Sequence, residues 1–198
     1  MFTELPSGTI YNVGSTENST KVYDVMLEMS IDIENTVSHF KRINYHADFS
    51  NISVIGHSTG GGSGHLYCLK NFCNTLILQD PFFVPVVNEL STISLTTDTY
   101  FIYSEDWYRG NEDINDMNEI EVFDSYIQNK SLAFGYYLTD SAHYDFVAFG
   151  SISPLTKYTF LKGSIDYNTS LATNNYFNTM ALGGNLLEES EYLIKIQK

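Results

Sequence analysis

The chain has 198 residues, of which 43% are hydrophobic and 15% aromatic, a composition typical of one globular domain rather than of a disordered chain. Its net charge of −14 argues against nucleic acid as a partner, because phosphate binding needs clustered Lys and Arg. The same charge argues against docking on anionic membranes. Neither argument excludes a small uncharged or zwitterionic substrate.

Membrane-spanning and targeting segments are not predicted. No apolar run approaches the ~20 residues of a membrane span, and the N-terminus lacks the basic start and apolar core of a secretory signal. We therefore expect no transmembrane segment and favour the cytoplasm.

The two cysteines, Cys68 and Cys73, have no His or Cys neighbours in zinc spacing, so we expect two small buried side chains and no metal site.

Hydrophobic patterns predict alternating helices and strands. Residues 1–20 are rich in Gly, Ser, Thr and Asn and are expected to form a loop or ragged terminus. Apolar residues at three- and four-residue steps predict a helix from Val22 to Phe40. The further predicted elements are strands at 52–55, 75–78, 100–103 and 132–138, helices at 59–69 and 111–130, and a helical and loop-like remainder from 144 that closes with a terminal helix. This alternation predicts a single α/β domain over residues 1–198, with a mostly parallel sheet covered by helices on both faces.

The segment Val54–Gly62 carries the pattern G-x-S-x-G, in which Gly56, Ser58 and Gly60 follow a β-branched run and precede a helix with a small-residue start. This is the context of the nucleophile elbow of α/β-hydrolases, a strained turn that presents a serine at the carboxyl end of a strand. Glycine is expected on both sides because a Cβ there would strike neighbouring backbone. Ser58 is the predicted nucleophile, and the backbone N–H of Thr59 is the predicted oxyanion donor.

A serine nucleophile needs a histidine base and an acid that orients it. His57 lies in the elbow itself, where we expect its side chain to point away from the nucleophile. The chain order of α/β-hydrolases, serine then acid then histidine, selects His143, which follows a predicted strand late in the chain. For the acid, Asp80 ends the strand after the elbow helix, whereas Glu105 and Asp106 follow the next strand. Position alone does not decide between them.

Several segments resemble the platelet-activating factor acetylhydrolases. Besides the elbow, these are Leu78–Pro85, Phe101–Trp107, Ser141–Phe146 and Leu161–Asp166, in the same order along the chain. The elbow pattern is generic. The aspartate segment and the histidine segment, in which an acidic residue and Phe follow the His, are more particular to that family.

The resemblance implies the C-terminal portion of an α/β-hydrolase fold. It also implies a serine esterase that removes short or oxidised acyl chains from the sn-2 position of phospholipids, with no metal or other cofactor. In that family the acid follows the strand after the elbow helix, so Asp80 is implied as the acid, with Ser58 and His143 as nucleophile and base. Glu105 then has a structural or supporting role. Thr59 stands where the family usually has a bulky aromatic residue, which implies a different pocket wall.

Three aromatic residues near the predicted site, Phe82, Phe83 and Trp107, are candidates either for an apolar acyl pocket or for the core. Residues 1–50 contain neither the family's His-Gly-rich oxyanion motif nor its upstream strands, so we expect the elbow strand at an uncovered sheet edge. A truncated product, a fragment, and a chain whose edge is covered by an oligomeric copy or a partner all fit this expectation. Two other functions stay open: another α/β-hydrolase, such as a carboxylesterase or a dienelactone hydrolase-like enzyme, and an inactive interaction domain.

Overall fold

The computed structural model describes residues 16–44, 46–86, 97–109, 133–147, 162–185 and 187–196. Its helices are α1 Thr16–Ile43, α2 Thr59–Lys70, α3 Glu105–Arg109 and α4 Tyr167–Leu182. Its strands are β1 Ser53–His57, β2 Thr75–Gln79, β3 Asp98–Ser104, β4 Ala133–Leu138 and β5 Leu193–Lys195. Short 3-10 helices lie at Val84–Val86 and His143–Phe146. The predicted helix at 111–130 lies outside the described residues.

The five strands form one sheet in the order β1-β2-β3-β4-β5. The first four are parallel, and β5 runs antiparallel to β4. The parallel ladder brings the carboxyl ends of β1 to β4 to the same edge of the sheet, where folds of this kind place their sites. The predicted α/β fold with a mostly parallel sheet is therefore confirmed.

Both faces of the sheet are covered by helices because successive strand side chains point to opposite sides and both sets are apolar. One core contains Met26 of α1, Leu66 and Tyr67 of α2, and the strand residues Leu76, Leu78, Phe101 and Tyr103. The other contains Phe177 and Ala181 of α4 with the strand residues Ile77, Tyr100, Ile102, Tyr136 and Leu138. Each large side chain that is fully buried in these cores stabilises the fold by roughly 1.5–3 kcal/mol.

The elbow strand β1 is the outermost strand among the described residues. Its apolar side chains are only partly covered, and Ile55 is 47% exposed. By contrast, all five residues of the neighbouring β2 are buried. The strand that carries the elbow is therefore the least enclosed of the parallel strands.

Two of the predicted terminal structures are wrong. Helix α1 already begins at Thr16, so the expected loop does not extend over residues 16–20; residues 1–15 lie outside the description. The expected terminal helix is absent from the described residues after Leu182, and Leu193–Lys195 instead forms β5. Three residues are too few to show the alternation of apolar and polar side chains that predicts a strand. This strand is recognised only from its hydrogen-bonded pairing with Tyr136–Leu138.

The two cysteines are buried as expected, but they are not separate thiols. Cys68, near the end of α2, and Cys73, just before β2, form a disulfide with a Cα–Cα distance of 5.5 Å. Disulfides persist mainly in oxidising compartments, so this bond counts against the expected cytoplasmic location.

In the described part of the chain, no helix has the length and apolarity to cross a membrane.

Candidate active site

Ser58 occupies the turn between β1 and α2, and its backbone is strained. Its φ of 54° lies in the left-handed region, which residues other than glycine seldom adopt. Backbone hydrogen bonds hold it there. The Ser58 N–H donates to the Gln79 carbonyl at 3.0 Å, and the Ser58 carbonyl accepts from the N–H groups of Gly61 at 2.9 Å and Phe82 at 3.0 Å. The strained residue is thus tied both to its own helix and to the segment after β2.

The glycines of the elbow have different roles. A Cβ on Gly56 would lie 2.3 Å from the carbonyl oxygen of Gly60, so only glycine fits at Gly56. A Cβ on Gly60 would meet nothing within 4 Å, and the expectation of a clash there is wrong because its Cβ would face open space. Gly61 is the second tight position, since its Cβ would lie 2.9 Å from the Cβ of Pro81. The small-residue start of α2 therefore serves its close approach to β1 and to the segment after β2.

Thr59 is the first residue of α2 and is half-buried. Its backbone N–H follows Ser58 directly and lies at the helix N-terminus, where the macrodipole favours negative charge. This is the place of an oxyanion donor in a nucleophile elbow.

Asp80 follows β2, is fully buried, and has a φ of 39°. Its Oδ1 accepts from the Ser104 N–H at 2.6 Å, and its Oδ2 accepts from the Ser104 hydroxyl at 2.6 Å. His143 Nδ1 lies 3.2 Å from the same Oδ2. Burial raises the pKa of Asp80, and the hydrogen bonds from His143 and Ser104 act against that rise. Because every one of these partners donates, the arrangement suits the ionised carboxylate.

His143 begins the 3-10 helix that follows β4, at the carboxyl edge of the sheet. With Nδ1 bonded to Asp80, its Nε2 is the nitrogen free to exchange a proton with a nucleophile. The indole of Trp107 stacks on the imidazole, with ring centroids 4.5 Å apart and planes at 24°. The backbone N–H of Trp107 donates to the Ser104 hydroxyl at 3.2 Å, so the same residue contacts both the imidazole of His143 and the hydrogen-bond partner of Asp80.

A second buried carboxylate, Asp145, organises the turn that carries His143, and sequence reasoning missed it. It accepts from the N–H groups of Ala142 at 2.9 Å and Gly163 at 2.8 Å. Its Oδ1 lies 3.4 Å from Lys162 Nζ, and the two side chains are 1% and 12% exposed. Asp145 and Lys162 both fall within the segments that carried the family resemblance, which was the only indication of them in the sequence.

The two alternative acids are placed differently from Asp80. Glu105 Oε2 accepts from the Asp140 N–H at 2.7 Å, and its Oε1 pairs with Arg109 Nε at 3.1 Å. Asp106 is exposed. Of the three candidate carboxylates, Asp80 is the one in contact with His143.

The three candidate pocket residues differ in burial: Phe83 is fully buried, whereas Phe82 and Trp107 are half-buried. Phe83 is fully buried against His65 and Phe101, with ring centroids 5.6 Å and 5.9 Å away, so it is a core residue. Phe82 is half-buried and packs on the edge of the same core. Trp107 is half-buried and lies against the imidazole of His143.

The side chain of His57, which we expect from the sequence to point away from the nucleophile, contacts the histidine turn, the 3-10 helix His143–Phe146. Its Nε2 is 2.9 Å from the carbonyl oxygen of His143, and the two imidazole centroids are 4.6 Å apart. Burial and the proximity of His143 lower the pKa of His57 to about 4, although the hydrogen bond to the His143 carbonyl acts in the other direction. A contact across 86 residues of chain leaves no trace in local sequence.

A family model described as platelet-activating factor acetylhydrolase, isoform II, matches residues 10–190. The chain belongs to this family. No curated protein matches it. Membership of the platelet-activating factor acetylhydrolase family confirms the predicted resemblance and indicates, at the level of the family, an esterase with an α/β-hydrolase fold. Among the described residues, no group of three or more His, Cys, Asp or Glu is arranged to hold a metal ion.

Proposed function

We propose that the chain is a serine esterase in which Ser58 is the nucleophile, His143 the general base and Asp80 the acid that orients it. The observation that carries the proposal is the 3.2 Å contact between His143 Nδ1 and the buried Asp80 carboxylate. This contact keeps the proton of the neutral imidazole on Nδ1, so that Nε2 has a lone pair for the serine proton.

In the proposed reaction, the Ser58 oxygen attacks the ester carbonyl while His143 Nε2 takes its proton. The Thr59 N–H donates to the oxyanion of the tetrahedral intermediate. The imidazolium then gives its proton to the leaving alkoxide, and the C–O bond breaks to leave an acyl-Ser58. Water, deprotonated by the same nitrogen, hydrolyses this ester and restores the enzyme. The Asp80 carboxylate stabilises the imidazolium in both halves of the reaction.

As substrate we propose the short sn-2 acyl esters of phospholipids. Membership of the platelet-activating factor acetylhydrolase family supports this choice. The half-buried rings of Phe82 and Trp107 offer apolar surface near the site, and a zwitterionic head group is compatible with the net charge of −14. A broader carboxylesterase or a dienelactone hydrolase-like enzyme is the alternative. Comparing hydrolysis of an sn-2 acetyl phospholipid with that of p-nitrophenyl esters separates the two, since a general esterase would show no preference for the phospholipid.

The nucleophile is tested by labelling with a fluorophosphonate probe and locating the adduct by mass spectrometry. Wild type and Ser53→Ala, in which an exposed serine of the same strand is removed, are expected to be labelled at Ser58. Ser58→Ala is expected to be unlabelled and to lose about 10⁴-fold or more in esterase rate. Labelling of Ser58→Ala at the same rate as wild type would contradict the assignment.

An inactive interaction domain is the second candidate, and the exposed Ile55 on the outermost strand favours it. A sheet edge of this kind can pair with another chain. A folded sample that is not labelled by the probe, and that elutes from a sizing column as a stable oligomer or complex, would support this role over the esterase.

A further inference from the structure

His57 is the side chain that joins the elbow to the histidine turn. It is the last residue of β1 and immediately precedes Ser58, and it pairs in register with Gln79, the residue before Asp80. Its position is therefore fixed relative to the proposed nucleophile and acid by the parallel ladder. From this place its ring reaches His143, the one member of the proposed triad that does not directly follow one of these two strands.

The contact between the two histidines has two parts. The first is the 2.9 Å hydrogen bond from His57 Nε2 to the His143 carbonyl oxygen. The second is ring packing, with centroid distances from His57 of 4.6 Å to His143, 6.4 Å to Tyr144 and 6.1 Å to Phe146. One side chain thus touches both the backbone and the ring of His143, as well as two of the next three residues of the turn.

The hydrogen bond to the His143 carbonyl determines which nitrogen of His57 carries a proton. A carbonyl oxygen only accepts, so His57 Nε2 must carry a proton and donate it. With its pKa lowered to about 4, His57 does so as a neutral imidazole near neutral pH. A neutral donor suits this place, because a positive charge 4.6 Å from the His143 ring would oppose formation of the imidazolium during the reaction.

We propose that His57 is a positioning residue, which holds the backbone of His143 through its Nε2–H and so fixes the imidazole between Asp80 and Ser58. The inference rests on the proposed function, since it assigns His57 a role only if His143 is the base. His57 donates to the His143 carbonyl and packs on its ring, but it takes no proton from the substrate or Ser58 and forms no covalent bond in the proposed reaction. Its effect is expected in the rate of the chemical step rather than in substrate binding, because small displacements of a base lower the rate by about 10²-fold.

Two variants separate the hydrogen bond from the ring. His57→Gln keeps an N–H donor and loses the ring, whereas His57→Phe keeps a ring and loses the donor. With p-nitrophenyl acetate, His57→Phe is expected to lower kcat by about 10- to 100-fold with KM changed by less than about 3-fold. His57→Gln is expected to remain within about 5-fold of wild type in kcat, because the amide restores the donor. The near-ultraviolet circular dichroism of each variant checks its folding.

The proposal is overturned if His57→Phe is as active as wild type, or if His57→Gln is no more active than His57→Phe. If His57→Phe does not fold, His57→Leu, which is closer to histidine in size, replaces it with the same expectation. If neither folds, His57→Gln alone decides, and a loss of more than about 10-fold overturns the proposal. Labelling of wild type at Ser58 is measured in the same series. Its absence would refute the esterase mechanism itself, and so distinguishes that failure from a failure of the His57 assignment.

Discussion

The elbow and the histidine turn are held in place by different kinds of interaction. At the elbow, the strained Ser58 is fixed by main-chain hydrogen bonds and by the close approach of Gly56 to the Gly60 carbonyl. At the histidine turn, the fixing contacts are made by side chains and span long stretches of sequence: Asp80 bonds to His143 across 63 residues, and Asp145 of the turn accepts from the N–H of Gly163. The comparison teaches that one site can combine a half held by main-chain hydrogen bonds and close backbone packing with a half held by side-chain contacts across long stretches of sequence.

The largest expected effect is at the elbow, with Gly56→Ala. The added Cβ would lie 2.3 Å from a backbone oxygen that cannot rotate away, so we expect loss of folding or destabilisation by about 4 kcal/mol. Chemical denaturation monitored by circular dichroism measures this change.

The matched control is Gly60→Ala, for which the added methyl meets nothing within 4 Å. We expect a change between zero and a gain of about 1 kcal/mol in the free energy of unfolding, since alanine favours a helix over glycine. Equal destabilisation by both substitutions would mean that general crowding, and not the Gly56–Gly60 approach, shapes the elbow.

The second effect tests the histidine turn. Asp145→Asn leaves the largely buried Lys162 ammonium with its bonds to the Gly163 and Ile165 carbonyls but without a carboxylate to balance its charge. We therefore expect a loss of about 3 kcal/mol in stability and a fall in esterase rate as the turn loosens. Thermal unfolding and hydrolysis of p-nitrophenyl acetate measure the two effects. Arg109→Gln, which removes an exposed ion pair with Glu105, is the control and is expected to leave the melting midpoint nearly unchanged. If the two substitutions had the same effect, the turn would not depend on its buried carboxylate.

The sequence was informative where the cause of a structure is local. The G-x-S-x-G pattern between a β-branched run and a small-residue helix located the elbow, and the apolar runs located the four parallel strands, because burial on both faces imposes a composition that can be read. Chain order and the family resemblance predicted Asp80 and His143, which the structure brings into contact.

The remaining contacts could not be predicted because their causes are not local. Ser104 and Asp145 are common polar residues whose roles exist only once β3, β4 and residues 162–165 are folded together. Likewise, β5 owes its strand geometry to pairing with β4. Gly60 is the opposite kind of error. The G-x-S-x-G pattern predicted that a Cβ there would clash with the backbone, but in the folded chain it would meet nothing within 4 Å.

The smallest effect concerns Asp80, the proposed acid. Ser104→Ala removes the hydroxyl that donates to Asp80 Oδ2, and we expect a fall of about 10-fold in kcat. Burial raises the pKa of Asp80 and the Ser104 bonds lower it, so losing one of them should raise the pKa further. In the proposed mechanism the Asp80 carboxylate must be ionised. The acidic side of the pH profile of kcat/KM should therefore move to higher pH. The exposed Ser164→Ala serves as control, and an acid limb that stays in place or moves to lower pH would show that the Ser104 hydroxyl does not stabilise the carboxylate.

The central claim is that Ser58 forms an acyl-enzyme with the help of His143, and trapping that intermediate tests it most directly. Wild type and His143→Ala are mixed with excess p-nitrophenyl acetate, quenched in acid and digested for mass spectrometry. The account predicts an early burst of p-nitrophenol and an acetyl group on Ser58 in wild type, with neither formed at a comparable rate in His143→Ala. Hydrolysis by wild type with the acetyl group on another residue, or an equally fast burst from His143→Ala, would contradict it.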